Sequence, residues 1–176
     1  VLGYIESIAH ALAALHEAGV VHRDLKPENV IVRTEDNTPV LVDFGIARVA
    51  KVNDQAVGEV MGTITYMAPE QAQGRKIDGR ADIYALGVIA FEWLTGLLPL
   101  RPRGESVNEM LRNNATRKTD ELTDYCPYLK DKVAPLIMSM LSKKPRRRPA
   151  SALDVARKIS ELIASAAPAD PDATTI

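Results

Sequence analysis

Cysteine is all but missing: Cys126 stands alone in 176 residues, so no disulfide can close within the chain, and nothing points to an oxidising compartment. That one thiol reads as a small packing residue. Long unbroken apolar runs are missing too. The most apolar stretch, residues 84 to 100, is interrupted by Glu92 and met by Pro99, which makes it a buried helix rather than a membrane span. Neither sign of charge dominates. The 22 Lys and Arg against 23 Asp and Glu leave a formal net charge of -1, and hence no global reason to expect nucleic acid or an acidic membrane as partner. No basic n-region with a cleavage-site pattern opens the chain, so a cytoplasmic location is the expectation. No internal repeat is visible. With 46% hydrophobic and 26% charged residues, the composition is that of a soluble globular protein, long enough for one buried core and too short for two ordinary domains.

Taken in order, the chain opens on Val1 with a helical pattern and no cap ahead of it, as at a cut. Leu2, Ile5, Ile8, Leu12 and Leu15 recur at three- and four-residue steps on one helical face, and Gly19 supplies the stop. Val30-Ile31-Val32 and Val40-Leu41-Val42 are short β-branched runs separated by the turn formers Thr34 to Pro39, which predicts a β-hairpin. Its two ends carry Asn29 and Asp43, so these side chains are brought together as a shared metal site requires. Residues 46 to 61 have no sustained period and read as a long loop, a class that inside compact domains is usually functional. A helix apolar nearly all round is expected from about Arg80 to Thr95, running through the core. Ser106 with Glu109, and Ser151 with Asp154, have capping-box spacing and mark two helix starts. A further helix is expected over roughly Leu129 to Leu141. The domain is expected to span residues 1–165, with 166–176, rich in Ala, Pro, Asp and Thr, a disordered tail or linker.

The chemistry is concentrated in His22-Arg23-Asp24-Leu25-Lys26-Pro27-Glu28-Asn29, which packs acidic, basic and carboxamide side chains into one loop. Asp43-Phe44-Gly45 and Ala68-Pro69-Glu70 follow. Taken singly the last two are weak, a common turn and a helix start with Pro at its first position. The ordered co-occurrence of all three motifs resembles the protein kinases. Lys26 in the loop, and Thr63 after Gly62, make the chain similar to the serine/threonine rather than the tyrosine kinases. The wording from Tyr66 to Gly96 looks most like bacterial kinases of eukaryotic type.

The resemblance covers the chain to about Ala164. It implies the kinase C-terminal lobe, a mainly α fold with a small β-hairpin, and transfer of the γ-phosphate of ATP to Ser/Thr hydroxyls of protein substrates. Phosphoryl transfer needs positioning, metal ions to neutralise charge and a group to receive the proton. By resemblance Asp24 orients and deprotonates the acceptor hydroxyl, and Lys26 neutralises the transferring phosphate. Asn29 and Asp43 hold Mg²⁺, a hard cation that takes few protein ligands plus phosphates. Thr63 bridges Asp24 and Lys26 and helps select the acceptor, and Ile31 lies beneath the adenine. Asp82 anchors the loop backbone, Glu70 pairs with Arg148, and His22 stacks with Phe44. For Glu70 and Arg148 the bland alternative is two surface charges worth about 0–1 kcal/mol. Arg146 and Arg147, in the basic run 143–148, read as a solvated corner rather than a nucleic-acid site.

Two departures qualify the resemblance. The N-terminal lobe is absent from these residues: they hold no glycine-rich phosphate loop, no strand lysine and no partner glutamate. Residues 49 to 61 also contain neither Ser nor Thr, so activation by phosphorylation there is not expected. The 176 residues alone are expected to transfer little phosphate. The competing expectation is a non-catalytic protein-binding module descended from such a lobe, against which the intact set Asp24, Lys26, Asn29 and Asp43 argues.

Overall fold

The computed structural model describes residues 1–43, 62 and 64–166. Phe44, the expected loop 46–61, Thr63 and positions 167–176 lie outside the described residues. Helix α1, Leu2–Glu17, buries Ile5, Ile8, Ala9, Leu12 and Ala13, the stripe that its three- and four-residue spacing predicts. It ends where Gly19 takes a left-handed φ of 75°. The Gly19 N–H donates to the His16 carbonyl at 3.0 Å and that of Val20 to Leu15 at 2.9 Å, a paired closure that satisfies the last carbonyls and turns the chain into the loop.

The hairpin pairs β1, Val30–Val32, with β2, Pro39–Leu41, antiparallel and with Val30 opposite Leu41. The second strand therefore sits one residue earlier than its β-branched run implies. Val42 still extends the ladder, its N–H donating to the Asn29 carbonyl at 3.0 Å. The predicted juxtaposition holds at the backbone: Asn29 precedes β1 and Asp43 follows β2 at the same end of the hairpin.

After a four-residue helix α2, Pro69–Ala72, the central helix α3 runs from Arg80 to Thr95 as the sequence predicts. Residues 81 through 91 are all buried. No amphipathic stripe exists because every face meets protein. Ile83, Leu86, Ile89 and Phe91 are fully inaccessible, and each contributes about 1.5–3 kcal/mol by burial. Truncating one of them, for example Leu86→Ala, would cost about 2–5 kcal/mol.

Helix α4, Val107–Thr116, begins at the expected capping box. The Ser106 N–H donates to Glu109 Oε2 at 2.9 Å, and the Glu109 N–H reaches back to Ser106 Oγ at 3.4 Å. The same reciprocity opens α6, Ala152–Ala166, where Ser151 and Asp154 exchange two bonds of 3.1 Å. Between them the expected helix 129–141 is shorter. Residues Pro127–Leu129 form a single 3₁₀ turn and helix α5 covers only Val133–Met140. Pro135 explains the difference, because it has no N–H for the ladder and is tolerated only in a first turn. Around α3, helix α1 packs on α3 and on α6, and α5 packs on α3 and α6. Among the described residues no helix is long and apolar enough to cross a membrane.

Candidate active site

The loop 22–29 is fixed by α3. Asp82, 1% exposed, accepts the His22 N–H on Oδ2 at 2.8 Å and the Arg23 N–H on Oδ1 at 2.9 Å. A buried carboxylate is tolerable only when its lone pairs are filled. Here a third partner helps, since His16 Nε2 lies 2.8 Å from Oδ2. His16 reaches it over Gly79, where a Cβ would stand 2.6 Å from the imidazole Nδ1. The anchoring role expected of Asp82 is thus present in the geometry, with a histidine added that sequence reasoning missed. The signal was a His in the last turn before the loop, together with a side-chain-free residue at 79.

The anchored backbone is strained on both sides of the site. Arg23 adopts φ 67° and Asp43 φ 53°, the left-handed region that costs a non-glycine residue roughly 1–2 kcal/mol. Such strain persists where surrounding bonds over-determine the chain, and it clusters at functional sites.

Asp24 follows Arg23 and is itself buried. The Asn29 side-chain NH₂ donates to the Asp24 carbonyl at 2.7 Å and to its carboxylate Oδ2 at 3.2 Å. The 3₁₀ turn Pro27–Asn29 delivers the carboxamide back onto the acid. Lys26 Nζ stands 3.9 Å from Asp24 Oδ2. Asp24, Lys26 and Asn29 are therefore one cluster. With the Asn29 NH₂ turned to Asp24, its carbonyl oxygen is the atom a hard cation would take, and Asp43, exposed at the hairpin end, adds a carboxylate. Among the described residues no group of three or more His, Cys, Asp or Glu could form a closed metal cage. A two-oxygen donor set is what Mg²⁺ takes when phosphates and water complete its octahedron, so these residues fit it. Ile31, on the hairpin, is 54% exposed.

His22 is fully buried, with Nε2 at 3.2 Å from the Val42 carbonyl. Its expected partner Phe44, like Thr63, lies outside the described residues. Two further contacts were not anticipated. Tyr66 donates its hydroxyl to Glu92 Oε2 at 2.6 Å; burial first, then that carboxylate, push the phenol far above its usual range, so it stays a donor. Gln71 bonds to the loop backbone at Arg23.

The basic run divides as expected at its corner and at Arg148, and differently at Lys143. Arg146 and Arg147 are exposed, whereas Arg148 turns inward to Glu70. Lys143 also turns inward, donating to the Tyr84 hydroxyl at 2.9 Å and the Asn114 carbonyl at 2.8 Å. Burial, reinforced by Arg148 and Arg117, lowers its pKa to about 8.

A loop anchored on a buried helix acid, an acid–lysine–asparagine cluster and a hairpin carrying a second acid agree with what comparison with known families finds. The protein kinase domain family matches residues 2–160, and the chain belongs to it. More particularly, it is of the bacterial serine/threonine type and covers part of that domain. Over 156 residues it is 41% identical to the serine/threonine-protein kinase Pkn1 of Myxococcus xanthus, covering 86% of this chain and 22% of Pkn1. It is 34% identical to PknF of Mycobacterium tuberculosis, covering 98% of this chain and 36% of PknF. The crystal structure of the Mycobacterium tuberculosis PknI kinase domain superposes with a TM-score of 0.65 at 28% identity, covering 91% of this chain and 54% of that one. The chain thus spans about half of that kinase domain and well under half of the curated relatives.

Proposed function

We propose that residues 1–165 are the catalytic and acceptor-binding half of a serine/threonine protein kinase domain, acting with ATP and Mg²⁺ on protein hydroxyls. The observation that carries this reading is the cluster at Asp24, whose carboxylate is oriented by Asn29 at 3.2 Å and faced by Lys26 at 3.9 Å. A binding module needs no such arrangement.

In this reading Asp24 receives the acceptor's proton, and its fixed orientation aims the hydroxyl before reaction. Lys26 places a positive charge where charge develops on the transferring group. Asn29 and Asp43 would hold Mg²⁺, which when bound neutralises the phosphate oxygens. Thr63, which follows Gly62, is assigned acceptor selection by resemblance to the family. Ile31 offers an apolar surface for the adenine. The 176 residues hold no glycine-rich loop or strand lysine, so a pocket that buries roughly 70–90% of a ligand needs a small lobe above Ile31.

The test joins the full chain behind the small lobe of Pkn1 and compares transfer from ATP to a Ser/Thr protein substrate with that of its Asp24→Asn form. Nucleotide affinity should be alike in the two, and transfer should differ by at least about 10². Transfer by the parent no faster than by Asp24→Asn would leave the binding-module reading in its place.

A further inference from the structure

Gln71 is the third residue of α2, and its side-chain amide spans two elements. Its Oε1 accepts the Ala68 N–H at 3.0 Å, and its Nε2 donates to the Arg23 carbonyl at 2.8 Å. The first bond is ordinary, an N-terminal amide of α2 satisfied as helix starts require. The second has no role in the helix.

Arg23 is the residue held in the left-handed region at φ 67°. Its N–H is taken by Asp82 at 2.9 Å and its C=O by Gln71 at 2.8 Å. Both polar groups of its main chain are thus secured by side chains, one from α3 and one from α2. The Arg23 carbonyl shares its peptide plane with the N–H of Asp24. A plane free to rotate would swing the Asp24 side chain with it, whereas the Asn29 amide bonds to Asp24 beyond that plane, at its own carbonyl and carboxylate. Gln71 and Asp24 line one small cleft with Arg23, Tyr66, Met67 and Asp82. The other end of the same amide grips Ala68, which closes the segment 64–68 running on from Thr63. That segment is tied in turn to α4, where the Asn114 NH₂ donates to the carbonyls of Ile64 at 3.1 Å and Met67 at 2.6 Å.

We propose that Gln71 is a positioning residue for phosphoryl transfer: by donating to the Arg23 carbonyl it locks the peptide plane ahead of Asp24 and keeps that acid in register with segment 64–68. This rests on the kinase reading above. A purely structural role is the alternative, in which only the bond to Ala68 matters.

Two substitutions separate them. Gln71→Glu keeps an acceptor for the Ala68 N–H and adds a negative charge at a helix start, which is favourable, but it cannot donate to Arg23. Gln71→Lys does the reverse. In the full chain joined behind the Pkn1 small lobe, kcat, the KM values and the melting temperature are measured for the parent, both variants and Asp24→Asn. Gln71→Glu should melt like the parent and keep its KM for ATP within about twofold, yet lose about 10-fold or more in kcat, as displaced catalytic groups do. Gln71→Lys should be less stable and still retain the higher kcat of the two. The positioning role is overturned if Gln71→Glu keeps kcat within about twofold, or if kcat simply follows stability. A parent no faster than Asp24→Asn removes the kinase reading and this inference together, a result distinct from either. Should a variant fail to fold, the unmodified 176-residue chain serves: a through-bond NMR coupling between the Gln71 side-chain nitrogen and the Arg23 carbonyl carbon supports the lock, and its absence overturns it.

Discussion

Glu70 at the start of α2 and Arg148 ahead of α6, 78 positions apart, meet in a buried bidentate ion pair, with Nη1 to Oε1 at 2.6 Å and Nη2 to Oε2 at 2.8 Å. Each residue is 5% exposed. The guanidinium also donates to the carbonyls of Ser142 and Arg80, both at 2.8 Å, and lies 4.9 Å over the Tyr84 ring. Its donors are directed at three separate segments, so one side chain ties the stretch between α5 and α6 to α2 and α3. The surface-charge alternative does not survive this geometry.

Removing one partner strands the other. Glu70→Ala leaves a buried guanidinium without its counter-ion and should destabilise the chain by about 3–5 kcal/mol. Urea denaturation reads this directly. A loss below about 1 kcal/mol would mean that water reaches the pair.

Gly79 and His16 should behave as one unit. Gly79→Ala drives a methyl to 2.6 Å from the imidazole, displacing His16 from Asp82, at a cost of about 1–3 kcal/mol. In a His16→Ala background the same change should be nearly neutral, because the space is open and the backbone at 79 is already right-handed, φ -57°. A double-mutant cycle in which the two costs simply add would refute the coupling.

Asp82→Asn replaces one acceptor oxygen by an NH₂ that must face an N–H of His22 or Arg23. The expected loss is about 2–4 kcal/mol, from a donor left buried and unmatched. Amide exchange at positions 22 and 23 should accelerate more than at Ile83. Uniform acceleration across the chain would show that Asp82 serves global stability alone.

Lys143 supplies a pH signature. Its folded pKa of about 8 lies below the ordinary 10.5. Below pH 8 the ammonium is charged in folded and unfolded chains alike, and its burial cost is constant. Between pH 8 and 10.5 the unfolded chain keeps a proton that the folded chain has released, so this group makes stability rise with pH. Arg148, Arg117 and the Tyr84 hydroxyl are the groups facing it. Denaturation of the parent and of Lys143→Met at pH 7 and 9.5 should differ in slope, the parent gaining about 1–2 kcal/mol relative to the variant. Parallel slopes would show an ordinary, solvated lysine.

Much of this protein was legible in its residues because the signals are local. The stripe of α1, the Gly19 stop, the all-apolar α3 and the two capping boxes are governed by spacings of three and four residues, and the helix and cap positions followed them. The hairpin's existence was legible for the same reason, while its one-residue offset at Pro39 depends on which side chains face the body. Pro135 was a local signal too, and it shortened α5. The site divides likewise. Asp24, Lys26 and Asn29 cluster because five residues and one 3₁₀ turn suffice to fold the amide back onto the acid. Tertiary structure alone decided that His16 reaches Asp82 over Gly79, that Tyr66 meets Glu92, that Lys143 turns inward and that Gln71 closes on the Arg23 carbonyl. Each joins groups dozens of residues apart, at distances set by how α1, α2, α3 and the segment after α5 pack. No periodicity encodes such a distance, because a hydrogen bond needs its partners within about 3 Å, and only the assembled core brings them there.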